Sequence, residues 1–341
     1  MGTRMTNRSI LRLGVPGLAA FALLAATSVQ AATFTEFDVP GSSFTTPFGI
    51  NAAGAITGFY GVGDQDASGF VRAPDGTITS FDPEGSVVTR PYAINDDGRI
   101  CGSYTQTNRN HEHAFVRERD GTITVFDPPH AKDSWATGFD ASGNIVGSFS
   151  TEKVKAQGFI RYPDGTFTVI NYHRSLVTSF NAVNNSGTIT GEYIGQDFKD
   201  RAFVRSPDGA FTLFKPIGAD ETTGDAINDA GTIAGQFDKG TAAETGFVRA
   251  ADATITTFNP KHSVDTEVSG INAGGLIVGT YQTPDDIVHG FVRKPGGSIA
   301  SFDAPDAVYA TTPTGINKRG VITGFYADTG RTASHGFIRT P

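Results

Sequence analysis

A four-residue element of the form Gly/Ala-Phe-Val/Ile-Arg begins at Gly69, Ala114, Gly158, Ala202, Gly246, Gly290 and Gly336. Successive copies are 45, 44, 44, 44, 44 and 46 residues apart. Such a period marks one supersecondary unit per repeat, which buries its apolar surface only by stacking on its neighbours. A second element, Gly/Ala-Ile-Asn-x-x-Gly-x-Ile-x-Gly-x-Tyr/Phe in general form, also occurs seven times. Its in-strand glycines are Gly58, Gly102, Gly147, Gly191, Gly235, Gly279 and Gly324, where a strand glycine marks close backbone approach.

Each period reads as two hairpins, and no sustained 3.6-residue apolar period follows residue 31. One hairpin turns at Ala73-Pro74-Asp75-Gly76, with equivalents at Pro163-Asp164-Gly165 and Pro207-Asp208-Gly209. Pro presets φ, Asp favours the turn and Gly accepts the left-handed closing position. The fifth copy has Ala253 there, which predicts left-handed strain or a different turn. The other hairpin turns at Asn51–Gly54, Asn95–Gly98, Asn184–Gly187 and Asn228–Gly231, and Asp140 stands for Asn in the third copy.

The first period therefore has strands A (Phe48–Asn51), B (Ile56–Tyr60), C (Gly69–Arg72) and D (Thr77–Asp82). In strand D, Ile78 and Phe81 are three apart and point to opposite faces; Phe70 and Val71 oppose one another in strand C. A sheet apolar on both faces, with no helices to cover it, must be covered by neighbouring sheets. This predicts an all-β, seven-bladed β-propeller with four antiparallel strands per blade. Six blades span 44–82, 89–127, 135–171, 178–215, 222–259 and 266–303. The seventh joins strands A to C from 311–339 to strand D from 33–38, which closes the open edges.

The first 31 residues read as a cleaved signal peptide rather than structure. Arg4, Arg8 and Arg12 precede an uncharged apolar run from Leu13 to Val29, and Val29-Gln30-Ala31 fits a cleavage site. The expected product is a single domain, Ala32–Pro341, periplasmic or secreted, with no membrane span and monomeric. Loss of the three arginines takes the formal charge from −8 to −11, which argues against nucleic acid and anionic membranes as partners. Cys101, the only cysteine, lies in a strand pattern and reads as a buried, inert thiol.

His113-Ala114-Phe115, with the near matches His289-Gly290-Phe291 and His335-Gly336-Phe337, resembles the HAF-type repeat family of bacterial exported proteins. The likeness covers nearly all of the chain after residue 31. It implies a secreted repeat protein and brings no activity, because the repeat rather than a site defines the family.

On such a scaffold the A–B and C–D turns share one face, and the longer B–C and D–A loops share the other. The second set varies between copies: Thr105–His113, Ile194–Arg201 and Gln282–His289 among B–C loops, Pro128–Ala136, Tyr172–Thr178, Pro216–Thr222 and Pro260–Thr266 among D–A links. Variable loops on a rigid scaffold are where function concentrates. Candidate ligand-binding residues on this face are His113, His130, Trp135, His173, His289 and His335, with His111 and His262 nearby. His113, His289 and His335 hold equivalent positions and would form a metal or general-base cluster if they converged. Asp64, Asp66 and Ser68 have the alternate-oxygen spacing of a calcium loop. The Arg that ends every strand C (Arg72, Arg117, Arg161, Arg205, Arg249, Arg293, Arg339) recurs too regularly for a ligand site and reads as a structural brace.

No nucleophile elbow, metalloprotease motif, phosphate-binding loop or dinucleotide fingerprint is present, so no catalytic residue is assigned. The reading is a binding scaffold for a carbohydrate, peptide or protein, with no cofactor unless the calcium loop is real. The alternatives are a propeller-type hydrolase or lyase using loop-face His and acids, and a structural envelope or matrix component.

Overall fold

The computed structural model describes residues 32–63, 66–106, 109–241, 243–328 and 334–341. Among these there are 28 strands and no helix. Strands run A, B, C, D within each repeat and pair in that order, antiparallel throughout. The first repeat has A at Phe44–Ile50, B at Ile56–Gly61, C at Ala67–Arg72 and D at Ile78–Phe81. Single parallel bridges, Ala67 to Val88 and Val288 to Ala310, tie neighbouring repeats into two eight-stranded sheets. The expected pairing of the two ends is present: Thr33–Phe37 lies antiparallel to Ser334–Thr340, with Thr33 opposite Thr340 and Phe37 opposite Gly336. Each strand A touches strand A of the next repeat, and that of the first also touches that of the last, Ala310–Ile316.

Strand A carries a bulge at the same place in all seven repeats, as between Pro47 and Gly49. The bulge swings a carbonyl over strand B and explains the invariant glycine there. A Cβ on Gly58 would lie 2.2 Å from the Thr46 carbonyl oxygen, and one on Gly191 2.0 Å from that of Ser179. The close approach thus lies within each repeat's own A–B pair.

Both faces of each sheet are apolar and both are packed. Phe70 lies in a cluster with Phe37, Val39 and Ile56, while Val71 and Phe81 join Ile100, Tyr104 and Phe115 of the next repeat. The strand C phenylalanines, Phe70, Phe115, Phe159, Phe203, Phe247, Phe291 and Phe337, are all buried, each contributing about 1.5–3 kcal/mol. The repeated Arg braces the junctions as expected. Arg117 lies 5.0 Å from the ring centre of Phe81 in the preceding repeat, and Arg249 5.1 Å from Phe214. Arg205 turns to its own Phe211 at 6.0 Å, because the preceding strand D ends in Ile170. Ala253 keeps the left-handed turn, at φ 71°.

The A–B turns form a belt. The Asn51 side-chain amide donates to the Asn95 carbonyl (3.1 Å), Asn184 to Asn228 (3.1 Å), Asn228 to Asn272 (3.2 Å), Asn272 to Asn317 (3.0 Å) and Asn317 to Asn51 (3.1 Å). Asp140 has no amide to donate, and its carboxylate instead accepts from Ser142 and Asn144. A cavity of about 580 Å³ lies beside this position, lined by residues that include Asn95, Phe139, Asp140 and Val183. The tight-turn face, expected to carry only turns, is therefore not featureless.

Candidate functional site

The candidate residues of the loop face separate into three groups. His130, His173 and His262 are exposed and occupy left-handed turn positions, with φ 66°, 24° and 68°. Gly41, Gly85 and Gly218 take the same conformation in other D–A links, at φ 81°, 75° and 80°. Histidine tolerates this region better than bulkier residues, so these three are turn residues. Trp135 lies on strand A, where its indole N–H donates to the Glu112 carboxylate. Glu112 also accepts from Arg90 Nη1 and Ser103 Oγ, each at 3.1 Å. His111 Nδ1 lies 3.2 Å from Asp133.

His113, His289 and His335 form the third group, and each is committed within its own repeat. His113 Nδ1 lies 2.8 Å from Asp127 Oδ2, His289 Nδ1 3.0 Å from Asp303, and His335 Nδ1 2.8 Å from Asp38. Each ring also rests on a strand B tyrosine, Tyr104, Tyr281 or Tyr326, at centroid distances of 5.6, 5.1 and 5.2 Å. The three histidines do not converge. The one trio of metal-capable groups among the described residues is Glu36, Asp38 and His335, with ligand atoms within 4.8 Å of one another. Burial alone would lower the His335 pKa, but the hydrogen bond and charge of Asp38, with Glu36 and Asp328 beside it, raise it above its ordinary value. Asp64 lies outside the described residues; Asp66 is exposed, and Ser68 sits within strand C.

The same carboxylate reaches across to the next repeat. Asp127 accepts from Ser134 Oγ at 2.5 Å, and Asp82 accepts from Thr89 Oγ1 at 2.5 Å. The junction of the second and third repeats thus consists of a strand C side chain, the acid after strand D, and a hydroxyl on the following strand A. Between the fourth and fifth repeats the charges are reversed. Arg201 holds the histidine position, Lys215 the aspartate position, and Thr222 the hydroxyl position. The pairing of Arg205 with Phe211 and Phe203 with Leu213 runs on toward Arg201 and Lys215.

These three residues line a cavity of about 510 Å³, together with Tyr193, Lys199, Asp200, Phe214 and Asp220. Thr222 is 2% exposed and its Oγ1 has no partner. The cause is local: no acid follows strand D, and Pro216 lacks the N–H that Val39 and Tyr172 offer to Thr45 and Thr178, each at 3.1 Å. Thr266 Oγ1 is unpartnered for the same reason, beside Asn259 and Pro260, but no cation replaces the acid there. Asp197 binds Arg201 through both oxygens, which holds its carboxyl down at about 2, and Lys199 donates to Asp220 at 2.5 Å. Lys215 donates only to the Ala219 carbonyl, at 3.3 Å. Two large apolar side chains stand on the flanking loops: Phe198, 71% exposed in the left-handed region at φ 60°, and Ile217, 100% exposed.

A second cluster went unread in the sequence. Glu192, Asp225 and Glu244 belong to the fourth and fifth repeats. Burial pushes the Glu192 carboxyl up to about 7, against hydrogen bonds from Asn181 and Ser179. Burial, then the charge of Glu192, raises Asp225 well above its ordinary value. Burial and the charges of Asp265 and Glu267 push Glu244 up to about 7. Cys101 is fully buried, as expected, and burial raises its thiol pKa.

No family model matches the chain, and no curated protein matches it. Solved structures do. A catalytically inactive virginiamycin B lyase from Staphylococcus aureus, crystallised with quinupristin, is 15% identical with a TM-score of 0.59, over 91% of this chain and 100% of that one. A prolyl endopeptidase is 14% identical with a TM-score of 0.63, over 84% of this chain and 47% of that one. TolB from Acinetobacter baumannii is 9% identical with a TM-score of 0.50, over 82% and 77%. At these identities the likeness concerns the fold alone, which is all-β, antiparallel and β-propeller-like.

Proposed function

We propose that the chain is an exported, HAF-type, seven-bladed β-propeller closed by its own ends, and that it works as a binding module for a peptide or protein segment. The basic, apolar, small-residue pattern of residues 1–31 supports export. Pairing of Thr33–Phe37 with Ser334–Thr340, and contact between the first and last A strands, support closure. The segment docks in the groove between the fourth and fifth repeats, on the face formed by the B–C and D–A loops.

One observation carries this reading: Phe198 and Ile217, the former in a conformation unfavourable for an aromatic residue, stand exposed on the loops that supply Lys199, Lys215 and Asp220 to one cavity. Exposed apolar side chains around a concave polar site are a recognition feature, and backbone strain concentrates where a surface is shaped for binding. An apolar anchor suits a peptide side chain better than a neutral sugar.

The test is selection of random peptides, displayed with free carboxyl termini, on purified residues 32–341. Enriched peptides are expected to bind the parent protein and to lose most affinity for the Phe198→Ser, Ile217→Ser double variant. No enrichment, or equal binding to the variant, would refute the reading.

A further inference from the structure

We infer that the groove between the fourth and fifth repeats recognises a carboxylate, and that this carboxylate is the free carboxyl terminus of an apolar peptide. The inference rests on the peptide-binding reading above and adds the chemistry at the base of the groove. The protein's other junctions serve as the template. Between the second and third repeats, one carboxylate, Asp127, satisfies His113 on strand C and Ser134 on the next strand A. Between the fourth and fifth, the chain keeps the flanking donors and makes them stronger. Arg201 replaces the imidazole, Lys215 replaces the acid itself, and the Thr222 hydroxyl remains, buried and unpartnered. An external carboxylate placed among Lys215, Thr222 and Arg201 would restore the pattern of the junction between the second and third repeats. The unpaired hydroxyl of Thr266 marks the difference, since its junction offers Thr245 and Asn259 and no cation.

Two acids set the affinity. Asp197 already engages Arg201 from the loop that carries Phe198, so it competes with an incoming carboxylate. Asp200 lines the cavity with no cation of its own, and burial, then the charge of Asp238, raises its pKa. Both oppose an anion, and both make a prediction opposite in sign to that for Lys215.

The experiment is a heteronuclear NMR titration of residues 32–341 with N-acetyl-L-phenylalanine, its carboxamide, D-glucuronate and D-glucose. The acid is expected to bind saturably and at least about tenfold more tightly than the amide, because a hydrogen-bonded charge is lost in the amide. Lys215→Gln and Thr222→Val are each expected to weaken it about tenfold, while Asp197→Asn and Asp200→Asn strengthen it. Lys215→Asp supplies from within the chain the acid that Asp127 provides between the second and third repeats. It is expected to abolish binding and to raise the melting temperature, a result that misfolding would not give. Binding of glucuronate but not of the acetylated amino acid, through Lys215 and Thr222, would uphold carboxylate recognition and refute the peptide source. Peptides selected as above that bind equally with amidated ends, and equally to Lys215→Gln, would uphold the groove and overturn the carboxylate. Absence of binding by every carboxylate would also overturn it.

Discussion

The junction between repeats two and three and the junction between repeats four and five share one backbone and opposite chemistry. In the first, Asp127 is shared by His113 and Ser134, and the contact is complete within the chain. In the second, Arg201, Lys215 and Thr222 face a cavity, and Thr222 has no partner. The repeat keeps its apolar residues, glycines and braces at both places. The departure is thus confined to two polar positions, Arg201 and Lys215, where a scaffold can change specificity without changing its core. A buried donor left unsatisfied costs about 1–3 kcal/mol, so the second junction gives up stability that the first retains.

The comparison can be broken most severely by removing a junction altogether. Deletion of residues 32–38 takes away the strand that pairs with Ser334–Thr340 and the buried Phe37. Loss of cooperative unfolding, or association through the exposed edge, is expected in calorimetry and sedimentation. A monomer of unchanged stability would contradict closure by the ends.

The acids of repeats four and five come next. Raised carboxyl pKa values mean that the folded protein holds protons the unfolded chain has released. Stability therefore falls as pH rises from about 4.5 towards 7, by roughly 3 kcal/mol for Glu192 alone. Asp225→Asn is expected to flatten this fall in urea denaturation at several pH values and to stabilise the protein at neutral pH. An unchanged pH profile would show that Asp225 does not take part.

The smallest effects compare the two junctions directly. Asp127→Ala leaves Ser134 and His113 without their acceptor and should cost about 1–3 kcal/mol, whereas Lys215→Asp should stabilise by about 1 kcal/mol. Equal signs for the two would erase the distinction between the junctions. The His335–Asp38 contact adds a pH term of the same direction as that of the acids, in a higher pH window. With the imidazole pKa raised, its contribution is fully present below the unfolded value and is lost as pH rises through the folded one.

Much of the scaffold was legible because each repeat restates it. The Pro-Asp-Gly turns, the opposed Ile78 and Phe81, the bracing Arg and the pairing of the ends all follow from local pattern and period. The reason for the strand B glycines was less visible, since the bulge in strand A that crowds Gly58 appears only in the register. Asn51 was readable as a turn residue, but its donation to Asn95 depends on two repeats lying side by side. The same limit hid the groove. Arg201 and Lys215 both stand out as departures from the repeat, yet their meeting with Thr222 requires strand pairing and a junction. The three copies with His at one position drew attention to His113, His289 and His335, while the one copy with Arg201 there held the more distinctive chemistry. Glu192 and Asp225 lie in different strands and Glu244 in a loop, so no local pattern joins the three in sequence.

The most direct measurement is the affinity of residues 32–341 and of the Lys215→Asp variant for one selected peptide with a free carboxyl terminus, taken with the melting temperature of each. Loss of binding together with a higher melting temperature is the predicted result. Unchanged affinity in the variant would contradict the assignment of this junction as the site that receives the carboxylate.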